Sequence, residues 1–383
     1  MKESAPRNGP ALVYLVTEDW YFLSHRLPMA QAAQRAGYDV HVITQVNKDR
    51  HAIEALGIRV HAVAWRRGSF NPFKFLANVR AIRRLYREIA PDLVHHVALQ
   101  PTVAGSLAAA GLPFARLNAI AGFGFSFTSV TLKARLARPV LRMLMRYVLG
   151  HPRSTVLVQN PHDLLAVERL GVPKEKIRII RGSGVDVRKL VPLPEPEKPV
   201  TVAFVGRLLD DKGVRTLVEA HQTLRARGQS VRLLIAGEPD PANPVSIPPK
   251  EIAAWARLPG IDVLGHVSDI GSVWQSAHIA VLPSRREGLP KSLLEAAACG
   301  RPIVATDVPG CREIARDGVN ALLVPPDRPG ALADAIARLA GDDGLRRRFG
   351  DAGRQLVESE FSDVKIGQET SALYDQLLCR CTP

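Results

Sequence analysis

Short apolar runs typical of β-strands alternate with amphipathic helical patterns along most of this chain. In the first half, ALVYLV, DVHVIT, RVHAVA, DLVHHVA and STVLVQN are separated by helical stretches such as RLPMAQAAQRAG and PHDLLAVERLG. A second series contains VTVAFVG, VRLLIAG, IDVLG, HIAVLPS, RPIVAT and NALLV. Apolar strands that alternate with helices form parallel sheets covered by helices on both faces. The pattern predicts an α/β protein with two doubly wound, Rossmann-like halves.

A proline-rich break separates the two series. The stretch LVPLPEPEKP continues neither a helix nor a sheet, which is typical of a segment between domains. The 383 residues are also enough for two domains that each have their own core. We therefore predict a first domain over residues 1–190, a linker over 191–199 and a second domain over 200–363, followed by a C-terminal segment over 364–383.

The positive charge of the chain lies in its first half. The first 200 residues carry 29 Lys and Arg against 14 Asp and Glu, whereas the remainder carries 22 against 23. The stretch TLKARLARPVLRMLMRYVLG predicts an amphipathic helix whose basic side includes Arg135, Arg142 and Arg146. No aromatic interleaving or nucleic-acid motif accompanies it, so we predict no nucleic-acid partner. Contact with an anionic membrane surface and a solvated helix face both remain open.

The sequence indicates neither a membrane-spanning segment nor a metal site. No apolar run reaches the length of a membrane span, and MKESAPRNGP lacks the apolar segment of a signal peptide. We therefore expect a cytoplasmic protein. The four cysteines do not combine with histidines at the spacing of a metal site, so we predict reduced, structural thiols. They are Cys299, Cys311, Cys379 and Cys381.

Two glutamates, Glu287 and Glu295, lie eight residues apart in REGLPKSLLEAAACGRP. The preceding VLPS is typical of a strand end, and Pro290 suits the first turn of a helix. Both carboxylates can therefore approach the carboxyl end of the strand, one from the loop and one from the helix. A solvated helix face is the alternative. The amides expected to favour an anion at this helix start belong to Leu289, Lys291 and Ser292.

The flanking sequence identifies a family likeness. EGLPKSLLEAAACGRPIV resembles the E-x7-E signature of the retaining glycosyltransferases of family 4, and GRLLDDKG resembles their G-R-x4-K-G motif. The resemblance implies the GT-B fold, in which two Rossmann-like domains face each other across a cleft and a final helix, here near residues 364–379, crosses back to the first domain. It also implies a nucleotide-sugar donor, most simply a UDP-sugar, and no metal or other cofactor.

The same resemblance assigns roles around the donor. Arg207 and Lys212 would hold the diphosphate and stabilise the charge that develops on the leaving group. Glu287 would contact the donor sugar, and Glu295 would bind the ribose hydroxyls. Asp269 has an alternative role as the cap of the next helix. The other residues predicted on the donor side are Gly206, Gly288, Leu289, Pro290, Ser292 and Glu238.

The chain also resembles a narrower group within family 4, the bacterial N-acetylgalactosaminyltransferases that act on polyprenyl-diphosphate-linked saccharides. The shared stretches are S-x-N-P-F at residues 69–73 and E-x-D-x-x-N-P at residues 238–244. The Gly-Gly pair that many family members carry in the first strand-to-helix loop is replaced by EDWY at residues 18–21. Acceptor contacts are expected from strand ends and a glycine-rich stretch, although a structural role for each histidine remains open. The predicted acceptor-side residues are His25, Arg26, His95, His96 and Gly122.

Together these patterns predict a retaining glycosyltransferase, peripheral on the inner face of the cell membrane. It would transfer a hexose or N-acetylhexosamine from a UDP-sugar to a lipid-linked saccharide or another glycan. One alternative is a nucleotide-sugar epimerase on the same fold, which would need no lipid acceptor and no basic membrane face. The other is a basic membrane-binding or nucleic-acid-binding protein with a degenerate site, although the motif residues around Glu287 are intact.

Overall fold

The computed structural model describes residues 9–65, 72–120, 132–241 and 243–379, without the side chains of residues 132–138 and 140. The chain forms two compact units. The first contains Met1–Ser183 and Val364–Pro383, and the second contains Gly184–Asp363. Each described unit is organised around one parallel sheet.

The sheet of the first unit has seven strands in the order β3-β2-β1-β4-β5-β6-β7. All neighbouring strands are parallel, so their carboxyl ends meet at one edge. Buried, mostly apolar residues fill both faces of β1 (Ala11–Glu18), an inner strand, as expected for a sheet covered on both sides. The strands are β1 (Ala11–Glu18), β2 (Asp39–Gln45), β3 (Arg59–Ala62), β4 (Leu93–Val97), β5 (Ala115–Ile120), β6 (Ser154–Val158) and β7 (Ile177–Ile179).

Helices of the first unit cover both faces of this sheet. Leu12 and Tyr14 of β1 pack into one apolar cluster, whereas Val13 and Leu15 pack into another on the opposite face, because side chains alternate along a strand. The helices are α1 (Asp19–His25), α2 (Leu27–Arg35), α3 (Arg50–Glu54), α4 (Pro72–Ile89), α5 (Leu99–Ala108), α6 (Leu132–Gly150) and α7 (Pro161–Glu168).

The second unit repeats this plan with a six-stranded parallel sheet in the order β10-β9-β8-β11-β12-β13. Its strands are β8 (Val200–Val205), β9 (Val231–Ala236), β10 (Ile261–Gly265), β11 (Ile279–Leu282), β12 (Ile303–Thr306) and β13 (Ala321–Val324). Its helices are α8 (Val214–Ala226), α9 (Pro249–Trp255), α10 (Ile270–Gln275), α11 (Lys291–Ala298), α12 (Pro309–Arg312), α13 (Pro329–Gly341) and α14 (Asp343–Glu360).

The last helix, α15 (Asp363–Cys379), packs on the first unit. The hydroxyl of Tyr374 lies 2.7 Å from the hydroxyl of Tyr14 and 2.7 Å from Nδ1 of His95. The hydroxyl of Tyr38 donates to Asp375 at 2.6 Å. These contacts anchor the C-terminal helix to β1 and β4 by buried hydrogen bonds as well as by apolar packing.

The proline-rich stretch is bound to the second unit. The first unit ends at Ser183, seven residues before the predicted domain boundary. Arg354 of α14 donates to the carbonyls of Leu190 (2.6 Å) and Val187 (2.7 Å). Glu195 accepts two hydrogen bonds from Arg346 of the same helix. The prolines do interrupt regular structure, but the carbonyl and carboxylate groups of the stretch are held by arginines.

All six strands of the second sheet correspond to strand patterns in the sequence, whereas β5 and β7 of the first sheet do not. β5 contains two buried polar residues, Arg116 and Asn118, which interrupt its apolar pattern. Asn118 is hydrogen-bonded to His96 and Ser154 on the two neighbouring strands. Hydrogen bonding offsets the cost of burying these polar groups, so a strand forms without the usual sequence signal.

Candidate functional site

Two loops meet at the carboxyl edge of the second sheet. The first loop (residues 206–213) follows β8, and the second loop (residues 283–290) follows β11, its hydrogen-bonded neighbour. Gly213 has a φ of +70°, and a Cβ atom on it would lie 2.0 Å from the carbonyl oxygen of Pro283. Only glycine allows the two backbones to approach this closely.

The centre of the site is an ion pair between the two loops. Nζ of Lys212 lies 2.5 Å from Oε1 of Glu287, and the exposed fractions of the two side chains are 23% and 9%. The hydroxyl of Ser284, which is fully buried, donates to the same Oε1 at 2.6 Å. Thr306 on β12 in turn donates to the carbonyl of Ser284. The carboxylate is therefore fixed from two sides, by a cation and by a buried hydroxyl.

The backbone of the second loop rests on the start of α12. A Cβ atom at Gly310 would lie 2.4 Å from the carbonyl oxygen of Glu287 and 2.6 Å from that of Gly288. The side chain of Leu289 packs against the core of the unit. Pro290 precedes the first residue of α11, and no side chain caps this helix. The predicted loop-to-helix arrangement is therefore present, with the loop held by packing below it.

Glu295 lies in α11 and has a different cationic partner. Its Oε1 is 3.5 Å from Nζ of Lys291, one turn earlier, and its side chain is 13% exposed. Burial raises the pKa of Glu295 above its ordinary value, even though the positive charge of Lys291 acts in the opposite direction. The two glutamates of the motif thus differ in environment, because only Glu287 is bound by the first loop.

Arg207 lies on the first loop and is 45% exposed. Its Nη1 atom is 2.7 Å from Oδ2 of Asp240, which belongs to the loop after β9 (residues 237–248). The same loop forms backbone hydrogen bonds with the first loop, from Leu208 N to Glu238 O and from Ile247 N to Leu208 O, each 2.9 Å. The side chain of Glu238 is exposed. This connection, longer than a tight turn, is therefore bound to the loop that carries Arg207 and Lys212.

Three further residues predicted on the donor side are hydrogen-bonded or half-buried within the second unit. The amide of Gly206 donates to Ala236 O at 3.0 Å and continues the pairing of β8 with β9. Asp269 caps α10, since its Oδ1 accepts from the amide of Gly271 at 3.1 Å. The capping role considered for Asp269 is the one that the structure has. Ser292 is half-buried in the first turn of α11.

His95 and His96 were predicted at a strand end; they are the third and fourth of the five residues of β4, and both side chains are fully buried. His95 bonds to Tyr374, whereas His96 bonds to Tyr86 (3.0 Å) and Asn118 (2.7 Å) on the other face of the sheet. Burial lowers the pKa of His96 to about 4. These hydrogen bonds give both rings a role in packing the unit, and their contact with the acceptor stays a prediction.

The other residues predicted on the acceptor side lie in different surroundings. His25 ends α1, stacks on Tyr21 with ring centres 4.3 Å apart, and is hydrogen-bonded to Ser24. Arg26 is 2% exposed, its Nη1 is 3.5 Å from the sulfur of Met29, and its Nε has no hydrogen-bond partner. Gly122 and residues 69–71 of the S-x-N-P-F stretch lie outside the described residues.

Asp19, in the EDWY stretch, was not predicted to have a role. It is fully buried and accepts hydrogen bonds from the amides of Trp20 (2.9 Å), Asn47 (2.6 Å) and Asp49 (3.1 Å). Burial alone would raise the pKa of Asp19, but these hydrogen bonds lower it below its ordinary value. This acid therefore joins the loops after β1 and β2. The replacement of the family's Gly-Gly pair was its only sequence signal.

A cavity of about 740 Å³ opens in the first unit, beside the carboxyl ends of β2 and β3. Its walls combine apolar and aromatic surface with amide groups and one amine, a mixture suited to sugar rings and their hydroxyls. The residues that characterise it are Gln45, Trp65, Lys74, Phe75, Asn78 and Gln100.

Two family models match the chain, one in each unit. Residues 11–158 match the family described as "Glycosyl transferase 4-like", and residues 199–342 match "Glycosyl transferases group 1". The second match contains all the residues of the two loops. The two matches together span most of both sheets, so the likeness is not confined to the E-x7-E segment.

Several similar proteins align with this chain over nearly their whole length. N,N'-diacetylbacillosaminyl-diphospho-undecaprenol alpha-1,3-N-acetylgalactosaminyltransferase of Campylobacter jejuni is 27% identical over 93% of this chain and 98% of its own length. Sucrose-phosphate synthase of Thermosynechococcus elongatus has a TM-score of 0.81 at 21% identity, over 97% of this chain and 100% of that one. Anabaena HepE in complex with UDP has a TM-score of 0.77 at 17% identity, over 96% and 100%. The structural likeness confirms the predicted GT-B fold class.

Proposed function

The chain belongs to the glycosyltransferases of family 4, and on this premise we propose which groups it transfers. The proposed reaction moves a hexose or N-acetylhexosamine from a UDP-sugar to a polyprenyl-diphosphate-linked saccharide, with retention of anomeric configuration. The observation that carries the proposal is the Lys212–Glu287 pair, held between two loops at the carboxyl edge of the second sheet. The families and relatives described above are glycosyltransferases, so the comparisons do not support the epimerase or the degenerate binding protein.

The donor groups follow from the charges at the site. Breaking the bond between C1 of the sugar and the diphosphate leaves negative charge on UDP, and the cations Lys212 and Arg207 lie on one loop to stabilise it. Glu287, already aligned by Ser284, accepts hydrogen bonds from hydroxyls of the sugar. Glu295 accepts hydrogen bonds from the ribose. Anabaena HepE, which shares the fold, binds UDP.

Retention requires the acceptor oxygen to bond to C1 on the face that the diphosphate leaves. We propose that the departing phosphate oxygen takes the proton of the incoming hydroxyl as the C1–O bond to phosphate breaks and the new C1–O bond forms. Glu287 is hydrogen-bonded to Lys212 and Ser284, which fix its carboxylate in a position to orient the sugar. The positive charge of Lys212 compensates the negative charge of this carboxylate.

Two cations on the first loop give the diphosphate a charge partner, so we propose that transfer needs no divalent metal. Turnover with EDTA should then equal turnover with added Mg²⁺ or Mn²⁺. A requirement for either ion would contradict this part of the proposal.

The acceptor is proposed to bind the first unit. The Campylobacter jejuni relative is named for a diphospho-undecaprenol acceptor. The first unit here carries the basic excess of the sequence and the cavity beside β2 and β3, which we assign to the saccharide of the acceptor. Within the described parts of the chain, every helix is too short or too polar to span a bilayer. A lipid-linked acceptor would then be reached from the membrane surface.

The surface of α6 supports peripheral membrane contact. Met143 and Tyr147 are 70% and 67% exposed, and Arg142 and Arg146 are exposed beside them. Apolar and aromatic side chains between arginines favour the interface of an anionic bilayer. The opposite face of the helix, including Met145, is buried in the unit. We therefore propose that the exposed face of α6 lies on the inner surface of the cell membrane.

The function can be tested with the full chain, a panel of UDP-sugars and a short polyprenyl-diphosphate-linked disaccharide. Free UDP and acceptor mass are followed together, with Glu287→Ala as the inactive control. One donor should release UDP and add the mass of one sugar to the acceptor. UDP release without a mass gain would indicate hydrolysis, and no reaction with any donor would contradict the transferase proposal.

Glu295→Gln should weaken UDP binding without lowering the stability of the fold. A carboxyl whose pKa is raised on folding stabilises the folded state below its unfolded pKa, and this contribution is lost as pH rises through its folded pKa. At neutral pH Glu295 therefore opposes folding, and its neutral replacement should leave Tm unchanged or higher. UDP affinity should fall about tenfold or more, since a charged hydrogen-bond acceptor is lost. Titration calorimetry and thermal unfolding at pH 7.5 measure the two effects, with the exposed Glu219→Gln as control.

Reversing two charges on α6 should weaken membrane binding. Arg142→Glu with Arg146→Glu is expected to lower the affinity for vesicles containing anionic lipid at least about tenfold, because each basic residue near such a surface contributes roughly 1 kcal/mol. Arg347→Glu with Arg348→Glu, exposed residues of α14, changes the net charge equally and should have little effect. Vesicle co-sedimentation measures both. Equal loss in the two variants would reveal nonspecific attraction and reject the assigned face.

A further inference from the structure

Three consecutive residues of the first loop are paired in register with three consecutive residues of the second. The nitrogen–oxygen distances are Asp210–Arg285 2.5 Å, Asp211–Arg286 2.6 Å and Lys212–Glu287 2.5 Å. Each pair is separated by 75 positions in the chain. The two loops leave neighbouring parallel strands, and Asp210–Lys212 form one turn of 3-10 helix beside the second loop.

The signs of the charges reverse at the third pair. The first loop presents two acids and then a base, whereas the second presents two bases and then an acid. A slip of one residue in one direction would place Lys212 opposite Arg286, and a slip in the other would place Asp211 opposite Glu287. Like charges at such positions repel. The reversal of charge at the third pair therefore favours the pairing in which Lys212 contacts Glu287.

Backbone contacts also join the two loops. The amide of Arg285 donates to the carbonyl of Asp211 at 2.9 Å. Gly213, which follows Lys212, lies against the carbonyl of Pro283, two residues before Arg285. The two loops are thus joined by main-chain contacts as well as by side-chain charges.

We propose that the Asp210–Arg285 and Asp211–Arg286 pairs act as a charge ladder that positions Lys212 and Glu287 for sugar transfer. The inference rests on the proposed function, since it assigns four further positioning residues to the same site. None of the four needs to touch the donor. Their effect is to hold the ammonium and the carboxylate in one relative position while the sugar moves from phosphate to acceptor.

The Asp210–Arg285 pair is bound by further ionic partners. Asp210 is also bound by Arg215, whose guanidinium makes two hydrogen bonds to Glu251 of α9 (2.7 and 2.8 Å). Arg285 also binds Asp327 at 2.8 Å. Burial would raise the pKa of Asp210, but the hydrogen bonds from Arg285 and Arg215 lower it below the ordinary value. This pair ties the ladder to the body of the unit.

The Asp211–Arg286 pair is the better one to test. Its side chains are 31% and 36% exposed, so solvent screens the pair and its removal should change global stability little. A loss of turnover without a loss of stability is therefore the expected signature of positioning. A residue that only supported the fold would change both together.

The test uses Asp211→Arg, Arg286→Asp and the double variant, all in the full chain. Each single variant should lower kcat about 100-fold, the scale expected when a catalytic group is misplaced by about 1 Å. UDP affinity, measured by calorimetry, should fall less than kcat does. The double variant restores opposite charges across the loops and should recover kcat to within about tenfold of the wild type, because the two charges act as a pair.

A matched pair in the same unit serves as control. Arg232 and Asp262 are 2.5 Å apart on β9 and β10 and are 53% and 41% exposed. Arg232→Asp, Asp262→Arg and their double should all keep wild-type kcat. Wild-type kcat in the single ladder variants would overturn the proposal. A double variant as impaired as the product of the two singles would also overturn it.

Failure of the ladder and failure of the proposed function give different results. If the wild type transfers no sugar, the proposed function fails, and the ladder is tested by hydrogen exchange. The amide of Arg285, which donates to Asp211, should exchange faster in each single variant and return toward the wild-type rate in the double. Unchanged exchange in the singles would overturn the ladder even without an activity assay.

Discussion

Lys212→Ala and Glu287→Ala are each expected to lower kcat by about 10²- to 10³-fold, the range seen when one charge-stabilising group is removed from an active site. Lys212 supplies positive charge where the leaving diphosphate gains negative charge. Glu287 orients the sugar, and it is already fixed by Lys212 and Ser284. Because the two groups are bound to each other, the double variant should be little slower than either single variant.

The kinetic comparison requires that both alanine variants remain folded. Lys212→Ala leaves the carboxylate of Glu287, 9% exposed, with the hydroxyl of Ser284 as a remaining donor. A moderate fall in Tm is therefore expected for this variant. Glu287→Gln keeps the side-chain size and should still lose most turnover. Steady-state kinetics with the preferred donor, together with circular dichroism, would show a misplaced site if either alanine variant kept wild-type kcat.

Arg346→Ala is expected to destabilise the second unit by about 1–3 kcal/mol, the cost of removing the hydrogen bonds that a buried guanidinium makes to charged groups. The side chain of Arg346 is 1% exposed. It makes two hydrogen bonds to Glu195 (2.8 and 2.7 Å) and one to Asp343 at 2.6 Å. It also donates to the carbonyl of Leu339 at 2.7 Å. Its loss would leave these acceptors without their donor.

The neighbouring Arg347 provides the control. It is exposed on the same helix, so Arg347→Ala should change the free energy of unfolding by no more than about 0.5 kcal/mol. Urea denaturation followed by circular dichroism compares the variants. A change below about 1 kcal/mol for Arg346→Ala would mean that water replaces its hydrogen bonds and that Glu195 does not tie the proline-rich stretch to α14.

The second unit is the more predictable part of the fold. Its six strands are largely apolar, because both faces of a parallel sheet are covered, and the exposed charges Arg232 and Asp262 lie on β9 and the edge strand β10. Its motifs also lie on contiguous segments. The loop position of Glu287 and the helical position of Glu295 followed from a strand end, a proline and a helix start.

The first unit shows why the remainder could not be predicted. Polar residues inside its sheet form hydrogen bonds with one another across strands, as Asn118 does with His96. A sequence gives no sign of such pairing, so β5 was missed and His95 and His96 were expected at a strand edge. Tyr374, 279 positions from His95, completes the arrangement from the C-terminal helix. Satisfaction of buried polar groups is a long-range property of the fold.

The α/β class, the two halves and the family could be predicted from local patterns, because apolar periodicity and the spacing of the motif residues are properties of short segments. Which charged groups meet depends on how the chain folds. Folding brings Lys212 to Glu287, gives Glu295 a different partner, and binds the proline-rich stretch to α14. Charges 75 positions apart can pair because the loops after two neighbouring parallel strands lie at the same edge of the sheet. The order of strands in the chain does not specify which strands are neighbours.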